Sequence, residues 1–257
     1  MKITFLGTSS GKTSLNRYHS SLLFSLKNYN LLIDAGDGIS RALISSKINF
    51  NSINGILFTH LHPDHYSGLP ALIIQMKMMN RKETLEIFVH QSLFKVVKEF
   101  LINSYLLPER MGFKTEFKTF DDNKKFKASD DFYFTARKNS HLKDLKEYQS
   151  IYPALSLYSA SFLFEVGEKK IIYTSDIGAE EDLLLFSEVK PDIFISEVTH
   201  ISMESLLKRL EILQPALTYL THYSDEETPA LNEIMANLPS PVKEKIILAT
   251  DNVSFDF

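Results

Sequence analysis

Thr59-His60-Leu61-His62-Pro63-Asp64-His65 decides how this chain is read. Three histidines and one aspartate fall within six residues, directly after the apolar run Ile56-Leu57-Phe58. That run is short enough to be a buried strand. A strand that ejects the chain into a polar turn holds side chains firmly at their base while their tips converge. Imidazole nitrogen and carboxylate oxygen are good ligands for Zn2+, and they also suit Mn2+ or Fe2+. Neighbouring ligands at this spacing cannot all reach one ion. His60 and His62 are therefore expected to serve one metal, and Asp64 and His65 a second about 3.5–4 Å away. A solvated turn in which Asp64 only caps the next helix would leave three histidines unexplained.

Further ligands are sought at the ends of other strands. Working outward, strands are expected at 3–6, 20–26 and 29–34, the last two joined by a hairpin turn at Lys27-Asn28. Helical character follows at 39–46, and a core-facing helix at 67–79. Beyond it come a strand at 85–89, a helix at 91–106, and strands at 114–120, 131–137, 156–166 and 171–174. A helical stretch at 180–188, a strand at 192–196, a helix at 203–213, a strand at 216–220, a helix at 226–238 and a strand at 245–249 complete the chain. His141, Asp176 and His222 each follow one of these strands. In open α/β sheets, ligands gather beyond the carboxyl ends of strands. The runs 31–36 and 171–176 echo each other, each following a hairpin and preceding another buried strand. The echo predicts two similar α/β halves. No stretch reads as an inter-domain linker, so 1–257 is expected to be a single domain.

Composition narrows the chemistry. The 257 residues are 44% hydrophobic and 23% charged, with a formal net charge of −4, which is ordinary for a globular protein. The whole-chain charge gives no support for non-specific binding to nucleic acid or anionic membranes. There are no cysteines, so disulfides, thiolate catalysis and cysteine-ligated zinc are excluded. No apolar run approaches the ~18 residues of a membrane span, nothing at the N-terminus suggests a signal peptide, and the cytoplasm is the expected location.

Several segments together resemble the metallo-β-lactamase superfamily, and within it ribonuclease Z and related phosphodiesterases. They are 5–11 with Asn16-Arg17, Leu32-Ile33-Asp34-Ala35-Gly36-Asp37-Gly38, the run from Thr59 to Pro70, and Leu220-Thr221-His222-Tyr223-Ser224. The resemblance implies an α/β fold, a four-layer αβ/βα sandwich of two mixed sheets with outer helices. It implies two divalent metal ions, Zn2+ first among the candidates. His60, His62 and His141 would hold one ion and Asp64, His65 and His222 the other, with Asp176 bridging. A hydroxide bridging the ions would form near neutral pH and attack a phosphorus or carbonyl centre, oriented by Asp64. In ribonuclease Z a histidine paired with a glutamate protonates the leaving oxygen. Glu197 and His200 are the counterparts here, closer in sequence than the family's pattern has them.

The substrate expected is a phosphodiester, RNA included. Ribonuclease Z commonly carries a protruding tRNA-binding arm between its third histidine motif and the bridging aspartate. Here His141 and Asp176 are only 35 residues apart, and two strands consume most of that stretch. The remainder carries Lys143 and Lys146 but also Asp144 and Glu147. Tight RNA binding needs several phosphate contacts, so a cyclic nucleotide or short oligonucleotide is as good a candidate. Two alternatives stand beside this reading: hydrolysis of a lactone, thioester or amide on the same site, and a non-catalytic metal-binding relative. Homodimers are common in the resembling family. Asp34 and Asp251 are expected near the site, accepting N–H bonds from ligating imidazoles. Lys12 and Arg17 read as solvated loop charges and His19 and His90 as structural. Met76, Met78 and Met79 are assigned to core or interface.

Overall fold

The apolar runs become the strands of two seven-stranded sheets in a computed structural model that describes residues 1–256. The chain divides into two units, Met1–Phe120 with the stretch from Thr250 onward, and Asp121–Ala249.

The first unit contains β1 (Lys2–Gly7), β2 (Ser21–Ser25), β3 (Asn30–Ile33), β4 (Gly55–Leu57), β5 (Leu85–His90) and β6 (Thr115–Phe120). The second contains β7 (Lys125–Ser129), β8 (Phe132–Lys138), β9 (Ala160–Val166), β10 (Lys169–Tyr173), β11 (Ile193–Glu197), β12 (Leu217–Thr221) and β13 (Ile246–Leu248). A last strand, β14 (Ser254–Asp256), returns to the first sheet, whose order is β14-β1-β2-β3-β4-β5-β6. There β14, β1, β2 and β3 pair antiparallel, while β3 to β6 pair parallel. The second sheet, β13-β12-β11-β10-β9-β8-β7, repeats the scheme: β7 to β10 are antiparallel and β10 to β13 parallel. The echo between 31–36 and 171–176 is therefore structural. In each unit a hairpin delivers the strand that opens the parallel half.

Leu31, Leu32, Ile33, Ile56, Leu57 and Phe58 have no exposed surface, as parallel strands covered on both faces require. The first unit's helices are α1 (Ile39–Ser45), α2 (Pro63–Tyr66), α3 (Leu69–Met78), α4 (Phe94–Asn103) and α5 (Pro108–Met111). On α3 the buried residues Leu69, Leu72, Ile73 and Met76 follow one helical stripe. Met76 is thus core, whereas Met78 and Met79 are exposed. The second unit adds α6 (Met203–Leu213) and α7 (Thr228–Asn237). Leu206, Leu213 and Leu231 from these helices join Ile172, Phe194 and Leu220 of the sheet in one apolar cluster. Ser202 caps α6 by accepting from Ser205 N at 3.1 Å.

Several boundaries differ from those read in the sequence. The helix expected over 91–106 is only Phe94–Asn103, because Tyr105 adopts a left-handed backbone with φ 61°. The stretch 180–188 is a 3-10 turn over Glu180–Leu184. β7 and β14 escaped the reading. β7 is an edge strand carrying Lys125, Lys127 and Ser129, the polar composition that edge strands favour. Among the described residues no helix is long and apolar enough to cross a membrane.

Candidate metal centre

In the first unit, Asp34 directly follows β3 and its carboxylate is the hub behind the histidine cluster. Its Oδ1 accepts Thr59 N at 2.9 Å. Its Oδ2 accepts Thr59 Oγ1 at 2.8 Å and His65 Nδ1 at 2.8 Å. Thr59 Oγ1 spends its proton on Asp34, so it accepts from His60 Nδ1, 3.0 Å away. One carboxylate therefore fixes two imidazoles, His65 directly and His60 through a hydroxyl, and both present Nε2 as the lone-pair nitrogen. His60 Nε2 lies 3.1 Å from His62 Nδ1, and His65 Nε2 lies 3.4 Å from Asp64 Oδ2. Asp34, Thr59, His60 and His65 are fully buried. Burial pushes the Asp34 carboxyl above its usual range, while the bonds from His65 and Thr59 pull it back.

The turn is held close. Ala35 N donates to His65 O at 2.6 Å and Gly68 N to Ala35 O at 2.9 Å. Gly36 is required by this approach, since a Cβ there would stand 1.7 Å from Asp64 O.

In the second unit, His141 follows β8, Asp176 follows β10 and His222 follows β12, all at carboxyl ends. Asp176 Oδ2 lies 3.2 Å from His222 Nε2 and 3.7 Å from His141 Nε2. Glu197 closes β11 with 1% exposure. Its Oε1 accepts His200 Nδ1 at 2.8 Å and Ile177 N at 3.0 Å, and its Oε2 accepts Thr199 N and His200 N at 2.8 and 2.9 Å. The bond to Glu197 raises the His200 pKa against the opposing effect of burial. The His200 ring sits 5.0 Å from that of His141 and 5.9 Å from that of His222, and its side chain is 38% exposed. Three strand ends are left-handed without glycine: Asp34 at φ 61°, Ser175 at 53° and His222 at 56°. Ser175 is also 1% exposed, and among the described residues its hydroxyl has no hydrogen-bond partner.

The donors are imidazoles and carboxylates, with the His60 and His65 tautomers set by the Asp34 hub and no thiol, which suits Zn2+, Mn2+ or Fe2+. Each unit brings its predicted residues together: His60, His62, Asp64 and His65 in the first, His141, Asp176, His222, Glu197 and His200 in the second. Asp251 is a correction. Its oxygens accept Thr8 Oγ1 and Tyr18 N, both at 2.7 Å, so it pins the first loop rather than an imidazole. His19 is structural, its Nδ1 donating to Ser10 O at 2.8 Å. Thr59 was missed, although its place between a strand end and His60 was the available signal.

A family model described as anti-Pycsar protein Apyc1 matches residues 1–237. Ribonuclease Z of Saccharolobus islandicus (strain L.S.2.15 / Lassen #1) is 38% identical over 118 residues, 46% of this chain and 39% of that protein's length. The chain thus spans about two fifths of the length of that relative. Ribonuclease Z of Pyrococcus furiosus is 26% identical across 79% of this chain and 76% of its own length. The solved metallo-β-lactamase fold protein YhfI from Bacillus subtilis superposes with a TM-score of 0.74 at 17% identity, covering 99% of this chain and 98% of its own. That likeness speaks for the fold and agrees with the α/β class and the two mixed sheets expected. The ribonuclease Z likeness agrees with the resemblance read from the motifs. Matched over residues 1–237, the chain belongs to the family of the anti-Pycsar protein Apyc1.

Proposed function

We propose that this protein is a two-metal phosphodiesterase acting on a small phosphodiester such as a cyclic nucleotide. The observation that carries the reading is the Asp34 hub, which holds Nδ1 of His65 directly and Nδ1 of His60 through Thr59, so that Nε2 is the nitrogen each ring would present to an ion. In this reading His60, His62 and His141 would hold one ion, and Asp64, His65 and His222 the other, with Asp176 within reach of both sets. Zn2+ is the ion proposed, and Mn2+ and Fe2+ are the alternatives. Two divalent cations held there would supply charge for the phosphoryl oxygens and lower the pKa of water towards neutrality, and Asp64 would orient the attacking water. His200 keeps Nδ1–H on Glu197 and gives a proton from Nε2 to the leaving oxygen, and Glu197 favours the charged ring that this needs.

The ribonuclease Z relatives support a phosphodiester as the bond cleaved. The segment after His141 supports a small substrate. It is a 3-10 stretch over Lys143–Ser150 with both signs of charge, and Lys143 Nζ is engaged by Gly178 O at 2.9 Å. The test is turnover by the Zn2+-loaded protein on a size series: a cyclic mononucleotide, a dinucleotide, a short oligonucleotide and a precursor tRNA, with a lactone beside them. Turnover is expected to be highest on the cyclic mononucleotide and to fall with size. Processing of the precursor without cleavage of the small substrates would reverse the size assignment. Lactone opening without any phosphodiester turnover would replace it with the other ester class.

A further inference from the structure

One carboxylate outside the donor set joins the two loops that carry His141 and Asp176. Asp182 Oδ2 accepts from Ser140 N at 3.0 Å, Ser140 Oγ at 2.7 Å, Gly178 N at 3.0 Å and Ala179 N at 3.3 Å. Ser140 immediately precedes His141, and Gly178 and Ala179 closely follow Asp176. Asp182 is 8% exposed. Asn139 makes a second tie, its Nδ2 donating to Asp176 O at 2.9 Å and its Oδ1 accepting His141 N at 3.2 Å. The loops meet so closely that a Cβ on Gly178 would lie 2.2 Å from Ser140 O and 2.8 Å from His141 N.

Capping of its own turn explains only part of this. An acid near the start of the turn Glu180–Leu184 would satisfy Gly178 N and Ala179 N. It would not reach across 42 residues of sequence to take both donors of Ser140.

We infer that Asp182 is a positioning residue for metal binding, setting the spacing of His141 against Asp176 by clamping their loops. The inference rests on the two-metal reading. It assigns Asp182 no contact with substrate or ion: it acts through the backbone of Ser140 and Gly178.

The test uses the full chain freed of metal. Zn2+ affinity is read by calorimetry, and the visible spectrum is read after loading with Co2+. Asp182→Asn keeps the shape and removes the charge. It is expected to weaken Zn2+ binding by about 10–100-fold, the range for loss of an outer partner of a ligand, and to shift the Co2+ bands. Ser140→Ala removes one of the four donors and should shift both in the same sense by less. Tyr158→Phe is the structural control. It removes a bond to Asp122 of 2.8 Å in the same unit, and should lower the melting temperature while leaving Zn2+ affinity and the Co2+ spectrum alone. Should Asp182→Asn bind Zn2+ as the unaltered protein does, with the same Co2+ spectrum, the positioning role is overturned. Equal weakening by Tyr158→Phe would overturn it too, by tracing the effect to general destabilisation. An unaltered protein that takes up no Zn2+ would sink the two-metal reading itself, and this inference with it.

Discussion

His200 is held by Glu197, three residues before it in sequence. Glu197 takes its Nδ1 and its backbone N–H, so the ring has one free direction of action, through Nε2. His200→Ala is expected to slow cleavage by about 10²–10⁴-fold on phosphodiesters with poor leaving groups, the range of general acid catalysis. On p-nitrophenyl esters, whose leaving group needs no proton, the loss should be far smaller. Equal losses on both would remove the acid role. At this scale the sequence is legible where chemistry is dense. His60 to His65 carries its own meaning, whereas His141, Asp176 and His222 were marked only by following strands and needed the resemblance to be assigned to an ion. Asn139 and Asp182 were not legible, because a hydrogen-bonded support leaves no periodic or compositional mark. Asp182 is further masked by the acids Glu180 and Glu181 beside it. Asp251 was misplaced for a related reason: a carboxylate near a motif serves whichever donors lie nearest, and here those are Thr8 and Tyr18.

Between residue and fold lie the joints where elements meet. The loop after β3 rests on the turn of the histidine cluster, with Gly36 against the Asp64 backbone. Gly36→Ala places a methyl group where only backbone could yield. It is expected to cost about 1–3 kcal/mol, the usual penalty of overpacking, and to weaken Zn2+ binding because the strained partner is the Asp64–His65 segment. Paired denaturation and Zn2+ titration would check both, and an Ala variant of native stability and affinity would contradict the joint. Elements were legible in proportion to their burial. The strands β3, β4, β10 and β11 announced themselves as apolar runs. β7 did not, because its outward residues are lysines and serine. The start of the strand read at 156–166 was placed too early, since the ladder with β8 begins only at Ala160, opposite Lys138.

For the whole molecule, metal and stability are linked. An ion that binds the folded chain and not the unfolded one adds RT ln(1 + [L]/Kd), about 2.7 kcal/mol at a hundredfold excess over Kd. The melting temperature of the metal-free protein should therefore climb with Zn2+ and fall again on chelation. A melting curve indifferent to Zn2+ would refute the metal centre. The twofold plan of the sheets was legible as a faint echo between two short runs, because each hairpin had to end at the start of a parallel half. How the strands order within each sheet was not, since pairing partners distant in sequence carry no local trace.

Ser175 has a consequence for how much stability the chain leaves unused. A non-glycine residue in a left-handed conformation costs roughly 1–2 kcal/mol, and a buried hydroxyl without a partner costs about 1–3 kcal/mol more. Glycine gives back about 0.5–1 kcal/mol in chain entropy. Ser175→Gly should therefore raise the melting temperature by at least about 2–4 °C, the equivalent of 1 kcal/mol in a chain of this size; a fall would contradict the balance. Position 175 is thus a place where the fold stops short of the stability open to it, at the residue that hands β10 over to Asp176.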